Sequence, residues 1–253
     1  MIRRARPLLG TLVAINAAAH AGAVDSAFDA VARVHRLMNF HSCDSDVARI
    51  NAAAHRAPVI VDPWTFDVLT QALSLSEHSG GAFDVVVPGS GARHTDIVLQ
   101  DGCRVLLRRR ARVDLGGIAK GFAVDRAIAA LQAAGARRGS VNAGGDLRFF
   151  GRWPGPVRVR VPGAIGSAVA LPPSGHAAYA TSAGYFGASL DDPRSGERST
   201  LAWSVTVAAA NCVVADALTK VVALCGPLGS LLKPFGATAY AVDAAGRLHA
   251  PAA

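Results

Sequence analysis

VDLGGIAKGFAVDRAI, residues Val113–Ile128, runs from a short extended stretch through a glycine turn into an apolar helical pattern. A phosphate loop of the GxxxxGK[ST] type needs a hydroxyl residue after its lysine, and here Gly121 follows Lys120. The dinucleotide fingerprint GxGxxG fails too, because Gly116-Gly117-Ile118-Ala119-Lys120-Gly121 has the wrong spacing. Three glycines in six residues still let backbone approach a ligand closely. The helix expected over Phe122 to Ala134 adds free N–H groups and the positive end of its dipole. Lys120 at that end needs an anion to offset it. The same residues also suit a tight strand-to-helix turn with a surface lysine.

Lysine is scarce: Lys120, Lys220 and Lys233 are the three among 26 basic residues. Lys220 lies in ADALTK, residues 215–220, inside an expected helix CVVADALTKVVAL that is apolar nearly all round. Such a helix is buried, and a buried carboxylate needs a cation. Two readings of Asp216 stay open. One is an i,i+4 ion pair with Lys220. The other is a hard divalent metal on Asp216, with Thr219 and a backbone carbonyl completing part of an oxygen shell. GAFD (81–84), GGD (144–146) and DDPRSG (191–196) each set an acid in a glycine or proline turn, where Asp ordinarily caps its own backbone.

Composition bounds the rest. The chain has 253 residues, 51% of them hydrophobic and 17% charged, and a net charge of +8. That describes a globular protein tolerant of anionic ligands. Its arginines are scattered, without aromatic interleaving or zinc-finger spacing, so nucleic acid is not an expected partner. The four cysteines lack CxxC spacing and are expected to be reduced and buried. MIRRARPLLGTLVAINAAAHAGA has a basic start and small residues as a secretory signal would, but TLVAI alternates as a strand. The strand reading is preferred, which makes a cytoplasmic location the expectation and a periplasmic one the alternative. No uninterrupted run of about 20 apolar residues points to a spanning helix.

Outward from the opening stretch, GSVNAGGDLRFFG reads as strand, turn, strand, so a βαβ-type unit is expected there. Val24 to Met38 is a helix with Phe28, Val31, Val34 and Leu37 or Met38 on one face. Asp44 or Ser45 caps a short helix in HSCDSDVARIN. A further helix spans Trp64 to His78, with Pro63 in its first turn and Gly80-Gly81 ending it. GAFDVVVPG is a short strand or turn, and GCRVLLRRRARVDL a hairpin. GPVRVRV, SAVAL and LAWSVTVAAA are strands. No linker divides the chain, so one α+β domain over residues 1–253 is expected.

In order, RPLLGT, LMNFHSCDSDVARIN, GAFDVVVPG, VDLGGIAKGFAVD, VNAGGD, ATSAGYF, DPRSG and SVTVAA…ADALTK resemble the ApbE family of FAD:protein FMN transferases. The resemblance extends from about Arg6 to Leu224. It implies an α+β fold related to the T-fold, a single domain with a mixed or antiparallel sheet and packed helices. It implies bound FAD and Mg2+, and transfer of FMN from FAD to a Thr or Ser hydroxyl of an acceptor protein, with release of AMP. By the same resemblance Met38, Ala82, Phe83, Asp84, Asp114, Lys120 and Leu190 contact FAD. The Gly117 carbonyl, Asp216 and Thr219 would hold the metal, which makes Asp216 a catalytic residue. Ser189 stands where the family usually has a histidine, a natural base for the acceptor hydroxyl, and Lys220 where many members have threonine. FAD hydrolysis to FMN and AMP, a flavin carrier without catalysis, and an electron-transfer flavoprotein are the alternatives. Oligomeric state and the identity of the acceptor are not legible.

Overall fold

In the computed structural model, which describes residues 1–152, 155–183, 189–226 and 229–250, the N-terminal segment folds back on itself. Strands β1 (Ile2–Leu8) and β2 (Thr11–Ala17) pair antiparallel along their full length. There follow α1 (Ala21–Met38), α2 (Asp46–Ala53), β3 (Val59–Ile60), α3 (Pro63–His78), β4 (Ile97–Gln100) and β5 (Arg104–Leu107). Then come α4 (Ala119–Ala133), β6 (Gly139–Ala143), β7 (Asp146–Phe150), β8 (Arg158–Arg160), β9 (Ala168–Ala170) and β10 (Ala178–Ala183). The chain continues through β11 (Ser189–Asp191), β12 (Arg198–Thr200), β13 (Ser204–Ala209), α5 (Cys212–Cys225), β14 (Thr238–Val242) and β15 (Leu248–His249). Trp153 and the last three residues of ATSAGYF, 184–186, lie outside the described residues.

The main sheet runs β1-β2-β6-β7-β10-β13-β14-β15, with every neighbouring pair antiparallel. Its central strands are buried on both faces, and their alternation shows two cores. Ala178 and Ala180 of β10, with Val205 and Val207 of β13, face the large core under the helices. Tyr179, Ala208, Tyr240 and Val242 face a smaller core with Val159 and Leu171, beside the β8–β9 ribbon. Helix α1 lays Val24, Phe28, Val31, Val34 and Met38 into the large core at helical spacing. Burying Phe28 alone contributes roughly 2–3 kcal/mol. Helix α4 packs against α1 and α5, and α5 lies over β10 and β13.

Several expectations change. The βαβ unit is absent among the described residues, since Val113 makes only an antiparallel bridge to Val86 and β6 pairs antiparallel with β2 and β7. Helix α4 begins at Ala119, so Lys120 and Gly121 lie in its first turn, not ahead of it. Strand β5 ends at Leu107, so the arginines 108–110, expected at the end of a strand, lie beyond it. Ser45, not Asp44, caps α2, its side chain accepting from the Ala48 N–H at 3.0 Å. Of the cysteines only Cys212 is buried, and Cys43 is exposed; all four are free thiols. No helix of the described residues is long and apolar enough to cross a membrane.

Candidate active site

Gly121 decides how closely α4 approaches α5. A Cβ there would lie 2.2 Å from the Cys212 carbonyl oxygen and 2.8 Å from Asp216 Cβ. The third glycine of the opening stretch therefore makes room for a helix, not for a phosphate. Its N–H donates to Asp216 Oδ2 at 3.0 Å. Asp125, one turn further along α4, accepts the N–H groups of Cys212 and Val213 at 3.0 and 2.9 Å and pairs with Arg148. So α4 satisfies two of the orphan donors at the start of α5, the Asn211 side chain takes a third from Val214 at 3.2 Å, and together they fix where Asp216 stands. At the other end, the Asn51 side chain of α2 donates to the Val113 carbonyl and accepts its N–H, at 3.0 and 2.7 Å.

Asp216 is fully buried and meets two ammonium groups. Lys220 Nζ donates to Asp216 Oδ1 and, at 2.8 Å, to the Asp216 carbonyl. Lys120 Nζ reaches Oδ1 at 3.5 Å and donates to Asp146 Oδ2 at the start of β7. Lys120 is thus no surface lysine, since two buried carboxylates hold its head. Burial opposes its charge, but Asp216 and Asp146 outweigh burial and raise its pKa. For Asp216, burial is likewise outweighed by Lys120, Lys220 and the Gly121 N–H, which hold its carboxyl below the usual range. Asp146 goes the other way. Burial and the Asp216 charge push it up to about 6 despite the two lysines. In the sequence Asp146 reads as a turn residue; the signal for more is its place after Gly144-Gly145 in VNAGGD.

The remaining expected site residues surround this cluster unevenly. A side chain at Gly117 would begin 3.3 Å from Phe83 Cε2 and 3.8 Å from Lys220 Cε, so GAFD, the glycine turn and α5 converge there. Asp114 accepts the Gly116 N–H at 2.8 Å. Asp84 is committed locally: it accepts the Val86 N–H, the His94 N–H and the His94 ring at 2.8, 3.0 and 2.9 Å. No sequence spacing marks this Asp84–His94 pair, ten residues apart. Met38 and Ala82 are buried. Thr219 donates to the Asp216 carbonyl and pairs with Ser182, both at 2.7 Å. Ser189 is exposed and Leu190 half-buried on the β11–β12 hairpin. The Arg194 turn of that hairpin approaches Gly81, and its carbonyl accepts from Arg93 at 3.2 Å. A cavity of about 300 Å³, lined by Leu201, Trp203, Val222 and Ala223 among others, shares α5 with the cluster.

A divalent ion does not fit this donor set as it stands. Hard cations want six or more oxygens, and Asp216 has its Oδ1, Oδ2 and carbonyl already bonded to nitrogen. No group of three His, Cys, Asp or Glu side chains among the described residues could hold a metal ion.

An antiparallel α+β frame with a buried, doubly cation-paired aspartate beneath a glycine turn is the class that fold and site define. The chain belongs to the ApbE family, whose model matches residues 9–90 and 88–233. It is similar to proteins named FAD:protein FMN transferase from Treponema pallidum (strain Nichols) and Klebsiella pneumoniae (strain 342). The first is 29% identical over 193 residues, 61% of this chain and 53% of that protein. The second is 26% identical over 173 residues, 58% and 55% of the two. The chain thus spans about half the length of the curated relatives it matches. Among solved structures, the ApbE protein of Thermotoga maritima matches with a TM-score of 0.82 at 24% identity, over 98% of this chain and 96% of that one. The flavin transferase ApbE of Vibrio cholerae matches with a TM-score of 0.81 at 21% identity, over 98% and 96%.

Proposed function

We propose that the protein binds FAD where GAFD, the Gly116-Gly117 turn and α5 converge, and transfers its FMN half to a Ser or Thr hydroxyl of an acceptor protein. The observation that carries this reading is the Lys120–Asp216–Lys220 cluster against Gly117 and Phe83, in a member of a family whose named relatives are FMN transferases. Phosphoryl transfer asks a protein mainly for positioning and charge neutralisation. The acceptor oxygen forms a bond to the FMN phosphorus while the pyrophosphate bridge to AMP breaks. AMP leaves with the bonding electrons, and the hydroxyl proton passes to a base or to water. Lys120 and Lys220 offset charge on the pyrophosphate, and Gly117 leaves space for it beside the Phe83 ring. Asp216 holds both ammonium groups in place. Ser189 has no ring nitrogen to take the proton. Mg2+, which the family resemblance implies, finds the Asp216 oxygens already bonded to nitrogen.

Mixing the pure protein with FAD and candidate acceptors, then reading flavin fluorescence in a denaturing gel and AMP by chromatography, tests the proposal. Covalent flavin on an acceptor with equimolar AMP is expected. AMP released without any acceptor would replace transfer by hydrolysis, and intact FAD throughout would leave a flavin-binding module.

A further inference from the structure

We infer that the Lys220 ammonium stands in for a divalent cation beside Asp216, so that this chain holds the FAD pyrophosphate without metal. The inference rests on the FAD reading above and concerns how its charge is met. An ammonium has three protons to give. Lys220 gives one to Asp216 Oδ1 and one to the Asp216 carbonyl, which leaves one for a phosphate oxygen. Its Cε lies 3.8 Å from the point where a Gly117 side chain would start, which puts the head group beside the open glycine turn. Its side chain is 17% exposed, against 1% for Asp216, so the cation and not the carboxylate meets the cleft.

Charge and competition agree with this placement. Lys120 and Lys220 already balance the two buried carboxylates Asp146 and Asp216, so the ionised cluster is formally neutral with no divalent ion added. A divalent ion added to the existing arrangement would face Lys120 and Lys220 at contact distance, and like charges there repel strongly. It would have to displace Lys220 from two hydrogen bonds, and the i,i+4 spacing on α5 favours the lysine's return. Thr219 offers little help, because its hydroxyl is already bonded to the Asp216 carbonyl and to Ser182.

Titrating the protein with FAD, followed by flavin fluorescence in EDTA and again in excess Mg2+, tests the inference. The wild type should bind with affinities within about twofold of each other in the two buffers. In Lys220→Thr the charge is lost and Asp216 Oδ1 keeps only the longer contact to Lys120, at 3.5 Å. Affinity in EDTA should fall by about tenfold and recover with Mg2+. A wild-type affinity that drops tenfold or more in EDTA overturns the inference and leaves the FAD reading standing. Absence of FAD binding in both buffers removes the FAD reading and the inference with it. The wild-type pair of titrations decides even if Lys220→Thr fails to fold, which its thermal melt will show.

Discussion

At the scale of single residues, Gly121 is where packing and chemistry meet. Its missing side chain admits the Cys212 carbonyl, and its N–H binds the carboxylate that both lysines contact. Gly121→Ala should destabilise the protein by about 1–3 kcal/mol, because backbone at 2.2 Å must move. Urea unfolding measures the loss, and an unchanged midpoint would mean that α4 and α5 do not touch there. Asp146 offers a pH test. Its pKa is raised to about 6, above the ordinary carboxylate value of 3.8, by burial and then by Asp216. The folded form therefore holds a proton that the unfolded chain has already released, and this group's contribution to stability falls as pH rises from 3.8 to about 6. Asp146→Asn should remove that fall, read as a flatter stability curve over the same window. At this scale sequence was half legible. The rarity of lysine singled out Lys120 and Lys220, and the apolar helix around Asp216 demanded a cation. Which carboxylates they meet was not legible, since Asp146 arrives from a strand 26 residues from Lys120.

Elements were legible wherever period and punctuation agreed. The α1 stripe, the Pro63 start of α3 and the strand-turn-strand of residues 139–150 are as expected. The start of α4 was not, because no side chain caps it and its glycines look like a loop. Nor could periodicity reveal that Asp125, in the middle of α4, supplements the Asn211 cap of another helix. Both its oxygens accept N–H groups from the first turn of α5, while Arg148 balances the charge. Asp125→Ala should cost about 2 kcal/mol or more, through lost cap bonds and an unpaired Arg148. The loss should appear first at α5. Amide exchange at Cys212 and Val213 should quicken well before that of α1, whereas uniform quickening would count against a local role.

For the whole molecule, local pattern marks strands one by one, but their order in the sheet depends on contacts far apart in sequence. Strand β2 neighbours β6, and β10 separates β7 from β13, pairings that no local spacing encodes. The site is correspondingly composite: residues 81–84, 114–121 and 216–220 converge from three separate parts of the chain. A ligand held there binds the folded state alone, because unfolding scatters all three. At a hundredfold excess over Kd this linkage adds about 2.7 kcal/mol. For a chain of this size each kcal/mol raises Tm by roughly 2–4 °C, so FAD should raise it on the order of 5–10 °C. The gain should also be localised. Hydrogen exchange with FAD bound should slow at residues 81–84, 114–121 and 212–220, and stay unchanged along β1 at the far edge of the sheet. FMN, which lacks the pyrophosphate, should give a smaller shift if Lys120 and Lys220 contact that group. Equal shifts from FAD and FMN, or protection confined to the cavity beside Trp203, would move the nucleotide away from the cluster and leave Asp216 a structural ion pair.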